Sequence, residues 1–148
     1  MTNEAREEWA EHARLVLDQA GHRRARARED LIDVLAAQRC ALSALEIEDR
    51  LREEDRRVGR ASVYRILELL VERGLVARLE LGDGLARYEL IDPAGEHHHH
   101  LLCDECGRLV PFDDRDLERS IDRLARRLHF RPRGHEVVLH GACDDCHD

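Results

Sequence analysis

Residues 60–90 read RASVYRILELLVERGLVARLELGDGLARYEL, and the order of periodicities inside this stretch decides the fold. In its first half Val63, Ile66, Leu67 and Leu70 recur on one helical face, while Arg60, Ser62 and Arg65 stay off it. Gly74 closes the helix. The period then changes, because LVARLEL and LARYEL are strand-like runs flanking Gly82-Asp83-Gly84, a tight hairpin signal.

Working upstream, Trp9, Ala13, Val16, Leu17 and Ala20 mark a first helix that Gly21 stops. A second helix is expected from about Ala25 to Gln38, burying Leu31, Ile32, Val34 and Leu35. Ser43-Ala44-Leu45-Glu46 has capping-box spacing and opens a short helix through Leu51, with Leu42, Leu45, Ile47 and Leu51 as its apolar contacts. Three helices and a hairpin make an N-terminal winged helix-turn-helix domain over residues 1–91, whose last helix is in the recognition position. Arg60, Ser62, Tyr64 and Arg65 at the start of that helix are the candidate DNA contacts, since arginine can donate two parallel bonds to guanine.

Working downstream, Pro93 and Gly95 break the periodicity, so residues 92–96 read as a hinge linker. Beyond it HHHHLLC and RLVPF look like strands, Asp113 or Asp114 can cap a helix to about Leu128, and HEVVLHG is a final strand. Residues 97–148 are therefore a second, small α/β domain, and the whole chain is α+β.

Composition sets the limits. Aromatics are 3% of the 148 residues and charged groups 38%, so burial must rest on Leu, Val, Ile and Ala. No run approaches the roughly 18 apolar residues of a membrane span, and the acidic opening MTNEAREEWAE lacks secretory features, so a cytoplasmic protein with no membrane partner is expected. The formal charge of -8 argues against indiscriminate nucleic-acid binding, yet all 24 basic residues are arginine and the windows 21–28 and 56–65 contain no acid.

Cys103-x-x-Cys106 and Cys143-x-x-Cys146 are matched pairs with 36 residues between them. Four thiolates around one zinc ion close its coordination sphere, so a structural zinc site is expected. The four histidines His97 to His100 alternate if they lie on a strand, putting His98 and His100 on one face and His97 and His99 on the other.

The helix-hairpin stretch followed by HHHHLLCDECGRLVPFDD resembles the ferric uptake regulator superfamily over nearly the whole chain from about Gly21. That resemblance implies a metal-dependent DNA-binding repressor, a homodimer on a palindromic operator in double-stranded DNA. It implies a sensor site of Glu89, His98 and His100, and a second site of His97, His99, Glu118 and His135. It also makes Tyr64-Arg65 a DNA-contacting pair, and puts Arg23 and Arg28 where a family motif keeps its outer arginines. Many relatives draw another sensor histidine from the loop before the Ser-Ala helix, where this chain has Cys40. Sulfur, two nitrogens and oxygen bias such a site toward zinc, the zinc uptake branch, whereas carboxylate and imidazole alone also suit iron(II). Control of metal-homeostasis genes follows, with iron(II) or peroxide sensing as alternatives.

Two other classes compete. A zinc enzyme lacks support, since there is no HExxH helix, phosphate-binding glycine loop or nucleophile elbow. A zinc-stabilised module that does not bind DNA leaves the winged-helix pattern unexplained.

Overall fold

The computed structural model describes residues 1–22, 25–95 and 97–146, so Arg23 of the expected DNA contacts and Glu96 of the expected hinge lie outside the described residues. The chain divides into two compact units, Met1–Glu96 and His97–Asp148. Among the described residues no helix is long and apolar enough to cross a membrane.

The first unit opens with helix α1 (Asn3–Gln19), which starts a turn and a half before the apolar pattern does because the Thr2 hydroxyl accepts the Ala5 amide at 3.1 Å. Its Trp9 is fully buried, and the indole N–H donates to the Leu75 carbonyl at 2.9 Å, so one side chain supplies both apolar area and a polar anchor. Helix α2 (Arg26–Ala37) buries Leu31, Ile32, Val34 and Leu35 against it. Helix α3 (Ala44–Glu53) has the full capping box, Ser43 Oγ accepting from Glu46 N at 3.2 Å and the Glu46 carboxylate accepting from Ser43 N at 2.7 Å. Ile47 and Leu51 are buried, but Leu45 is 54% exposed, a correction to its expected packing: it lies on the face turned away from the core.

Helix α4 (Arg60–Glu72) buries Val63, Leu67 and Leu70. It ends in a Schellman turn: Gly74 takes φ +68°, the Gly74 amide donates to Val71 O, and the Leu75 amide reaches back to Leu70 O. That turn sends the chain directly into strand β2 (Val76–Glu80), which pairs antiparallel with β3 (Ala86–Leu90). Among its described residues the unit thus holds four helices, one more than the three that define the motif, and β3 is also paired by the two-residue strand β1 (Leu42–Ser43), giving the order β1-β3-β2. The connection between β2 and β3 is residues 81–85, longer than the tight turn expected, and Asp83 organises it. Its carboxylate accepts the Leu85 amide at 3.1 Å and pairs at 2.8 Å with the buried Arg87, whose guanidinium holds that carboxyl below its usual range.

The second unit contains β4 (His99–Cys103), β5 (Leu109–Phe112), helix α5 (Arg115–Arg127) and β6 (Val138–Gly141). Strand β4 is central, antiparallel to β5 and parallel to β6. Asp114, one of the two expected caps, accepts from Leu117 N at 2.8 Å. None of α5 is buried in the single chain, and among the unit's described residues the buried side chains are Leu102, Cys103, His99 and His100.

Trp9→Ala removes the largest side chain of the first unit's core and leaves the Leu75 carbonyl with the Ile91 amide as its remaining donor; a destabilisation of about 3–5 kcal/mol is expected in urea titrations. A loss below ~1 kcal/mol would show that α1 is a dispensable appendage.

Candidate metal centres

Strands β4 and β6 run parallel with Cys103 opposite Gly141, which carries the turn after each strand to the same end of the sheet. The first turn holds Cys103 and Cys106, with Gly107 at φ +73° allowing the backbone to double back; the second holds Cys143 and Cys146. The four sulfurs lie within 4.8 Å of one another. Cys106 Sγ and Cys143 Sγ are 3.7 Å apart, far beyond a bonded pair at about 2.05 Å, and close to the roughly 3.8 Å edge of a tetrahedron with metal-sulfur bonds near 2.3 Å.

The charges of the cluster point the same way. Amides of Cys106 and Cys143 directed at Cys103 bring its thiol down to about 6, while crowding by the sulfurs of Cys143 and Cys106 pushes Cys146 up to about 12. The backbone stabilises a thiolate at Cys103, while neighbouring sulfurs raise the thiols of Cys106 and Cys146. A tetrahedral divalent cation fits this donor set, since it supplies the charge that lets all four ionise.

A second group gathers around Glu118 on α5. His99 Nε2 lies 2.6 Å from Glu118 Oε1, His135 Nε2 lies 3.0 Å from Oε2, and His97 Nε2 lies 3.7 Å from Oε2. The hydrogen bonds from His99 and His135 hold the Glu118 carboxyl below its ordinary range. The donor types suit zinc or iron(II), but the amide of Val137 donates to His99 Nδ1 at 3.2 Å, which leaves the ring proton on Nε2, aimed at Glu118. A cation at Nε2 competes with that proton and requires the ring or the Val137 amide to shift.

The residues of the expected sensor site divide between the units. Cys40 is half-buried in the bend after α2, and Glu89 is half-buried on β3 opposite Ala77. His98 directly precedes β4 and His100 is buried on it, their rings 5.0 Å apart on one face, as alternation requires. Glu136 Oε1 lies 3.9 Å from His100 Nδ1; an exposed acid in a loop carries no periodic signal, and the sequence reading passed over it.

On α4, Arg60, Tyr64 and Arg65 are exposed and Ser62 is half-buried, its hydroxyl accepting from Arg65 Nη2 at 3.1 Å. Arg28 behaves differently. Its side chain is 4% exposed, donates to the His22 carbonyl and pairs with Asp18 and Glu29, so the guanidinium is committed inside the unit. This corrects its expected place among the DNA contacts.

A winged helix joined to a unit with a four-sulfur cluster and two histidine groups defines the class of metal-responsive transcription regulators. The family model described as the ferric uptake regulator family matches residues 19–140, and the chain belongs to that family. It is 37% identical over 106 residues to a ferric uptake regulation protein of Bacillus subtilis, covering 71% of each chain. A solved Helicobacter pylori ferric uptake regulator, described as having three functional metal-binding sites, superposes with a TM-score of 0.82 at 27% identity, covering 99% of this chain and 94% of that one. A Vibrio cholerae ferric uptake regulator gives 0.74 at 30% identity, covering 86% and 96%. Membership makes the chain a regulator, not an enzyme.

Cys143→Ser is expected to lower the chain's bound zinc by about one ion per chain, read by elemental analysis, and to make the β6 amides exchange rapidly in hydrogen-exchange mass spectrometry. Undiminished zinc in that variant would remove Cys143 from the ligand set.

Proposed function

We propose that this regulator is a repressor that binds a palindromic operator as a homodimer when a divalent cation occupies Glu89, His98 and His100, with Cys40 as the fourth donor. The observation that carries the reading is the placement of ligand types along the chain. Glu89 lies one residue before the end of the wing's central strand and His98 directly precedes that of the second unit, so side chains of metal-ligand type flank the stretch of chain that connects the units. A cation held by all of them supplies a crosslink across that connection. Ligation thereby narrows the arrangements open to the two units, and a dimer with narrowed arrangements matches two half-sites at fixed spacing.

Within the DNA-binding unit, Arg60, Tyr64 and Arg65 face outward from the first turns of α4 while Val63, Leu67 and Leu70 hold the helix to its core. The arginines serve guanine edges or phosphates, Ser62 orients Arg65, and Tyr64 contacts a thymine methyl or a phosphate. Homodimerisation is supported by apolar side chains exposed in the second unit: Leu101, Val110 and Leu139 on its sheet, with Leu124, Leu128 and Phe130 on and after α5. Cys103, Cys106, Cys143 and Cys146 hold a structural zinc, and His97, His99, Glu118 and His135 form a second divalent site.

Zinc is the proposed signal, because a donor set with sulfur, two imidazoles and a carboxylate favours it. Iron(II) is the second reading, favoured by the names of the relatives, which are ferric uptake regulation proteins. Either signal suits control of metal-homeostasis genes by a cytoplasmic protein.

Titration of operator binding with zinc, iron(II), manganese and nickel without oxygen, structural zinc retained, separates the two: the signal is the ion effective at the lowest free concentration. Glu89→Ala and His98→Ala are each expected to abolish the metal response while circular dichroism stays that of the parent chain. A gel shift with an unaltered metal response would remove the altered residue from the sensor site.

A further inference from the structure

The first residue of α4 is an arginine, which is an unfavourable place for a cation because the N-terminus of a helix carries partial positive charge. Its compensation comes from α3. Glu48 grips the guanidinium of Arg60 side-on, Oε1 accepting from Nε at 2.9 Å and Oε2 from Nη2 at 3.1 Å. The partners differ in shelter: the Glu48 side chain is 10% exposed and that of Arg60 is 66%. Glu48 is seated beside the buried Ile47 on a helix pinned by its capping box, so the carboxylate is the fixed partner and the arginine the one it aims.

A guanidinium has two edges that can donate paired parallel bonds. Glu48 occupies the Nε–Nη2 edge and leaves the Nη1–Nη2 edge facing outward, without another partner among the described residues. We propose that Glu48 is a positioning residue for sequence reading: it holds Arg60 so that its outer edge meets a base carrying two adjacent acceptors, the guanine of a G·C pair. This rests on the reading of α4 as the DNA-contacting helix. A phosphate contact is disfavoured, because the Arg60–Glu48 pair is neutral as a whole and attracts a phosphate backbone weakly. Base recognition depends on orientation instead, and a side chain already oriented loses less freedom on binding. Arg65, tied to Ser62 by a single bond, lacks this restraint.

The test uses the full chain loaded with zinc. Duplexes are enriched from a random pool by the parent protein, and the best one is then substituted one base pair at a time and measured by fluorescence anisotropy. At one G·C position, substitution is expected to weaken the parent about ten-fold or more, and to weaken Glu48→Gln and Arg60→Ala less than about two-fold. Glu48→Gln is expected to bind an unrelated duplex more tightly, since a negative charge has gone, and the double variant is expected to read like Arg60→Ala alone. A merely structural Glu48 would weaken binding to every duplex and leave base preferences intact, and that result overturns the proposal. Should Glu48→Gln melt early, Arg60→Met decides: it keeps the apolar stem but has no donor, so retained discrimination at the G·C position overturns the proposal equally. If one duplex is enriched and the variants discriminate as the parent does, only the role of Glu48 falls; if no sequence is enriched, the reading of α4 falls with it.

Discussion

The second unit is built around a shortage of apolar burial. Its sheltered side chains include two imidazoles and a thiol, its helix α5 buries nothing within the single chain, and its sheet leaves Leu101, Val110 and Leu139 exposed. Each fully buried aliphatic side chain contributes about 1.5–3 kcal/mol, so a unit with so few of them needs a second source of cohesion. Parallel pairing of β4 and β6 supplies the geometry for one by bringing both cysteine turns to the same end of the sheet. Placing Glu118 against His99 and His135 supplies another, since these contacts tie α5 to the central strand through polar groups. The groups that would bind cations are thus the groups that hold the unit's elements together.

The first unit solves its packing conventionally, and its charged residues are sorted by where they point. Arg14, Arg28, Arg56 and Arg87 are partly or fully sheltered and each is paired with acids, Arg56 bridging from the segment after α3 to Asp30 and Asp33 of α2. These pairs orient helices and the wing at little net gain in stability. Arginine is suited to that task because its planar fork fits a carboxylate. On α4, by contrast, Arg60 and Arg65 are exposed, Arg60 paired with Glu48 of α3 and Arg65 with the Ser62 hydroxyl.

Much of this was legible wherever a local rule has one outcome. The Ser43–Glu46 box, the Gly74 stop and the change from helical to alternating periodicity after it each specify a backbone geometry within a few residues. Cysteine spacing did the same for the two turns. What could not be read depends on partners remote in the chain. Strand β1 is two residues long, too short to alternate, and exists because β3 accepts it. The early start of α1 hangs on a single threonine cap. Arg28 closes a window of arginines, and beyond the adjacent Glu29 its inward orientation follows from Asp18 on another helix and from the His22 carbonyl. The histidine alternation appears in the ring pairs although β4 itself begins only at His99, because the backbone ahead of the strand keeps its pleat.

Strand β6 lies beside β4 in parallel, with α5 and its following loop between them in the chain. Parallel neighbours so distant along the backbone close late, and the reader's own sheet is made of segments that all leave the ribosome earlier. During translation the first unit therefore has every strand it needs while the second still lacks its outer strand and half its thiols. A chain stopped between those two moments would have the first unit's sheet complete but only one of the two cysteine turns, with one edge of β4 unpaired.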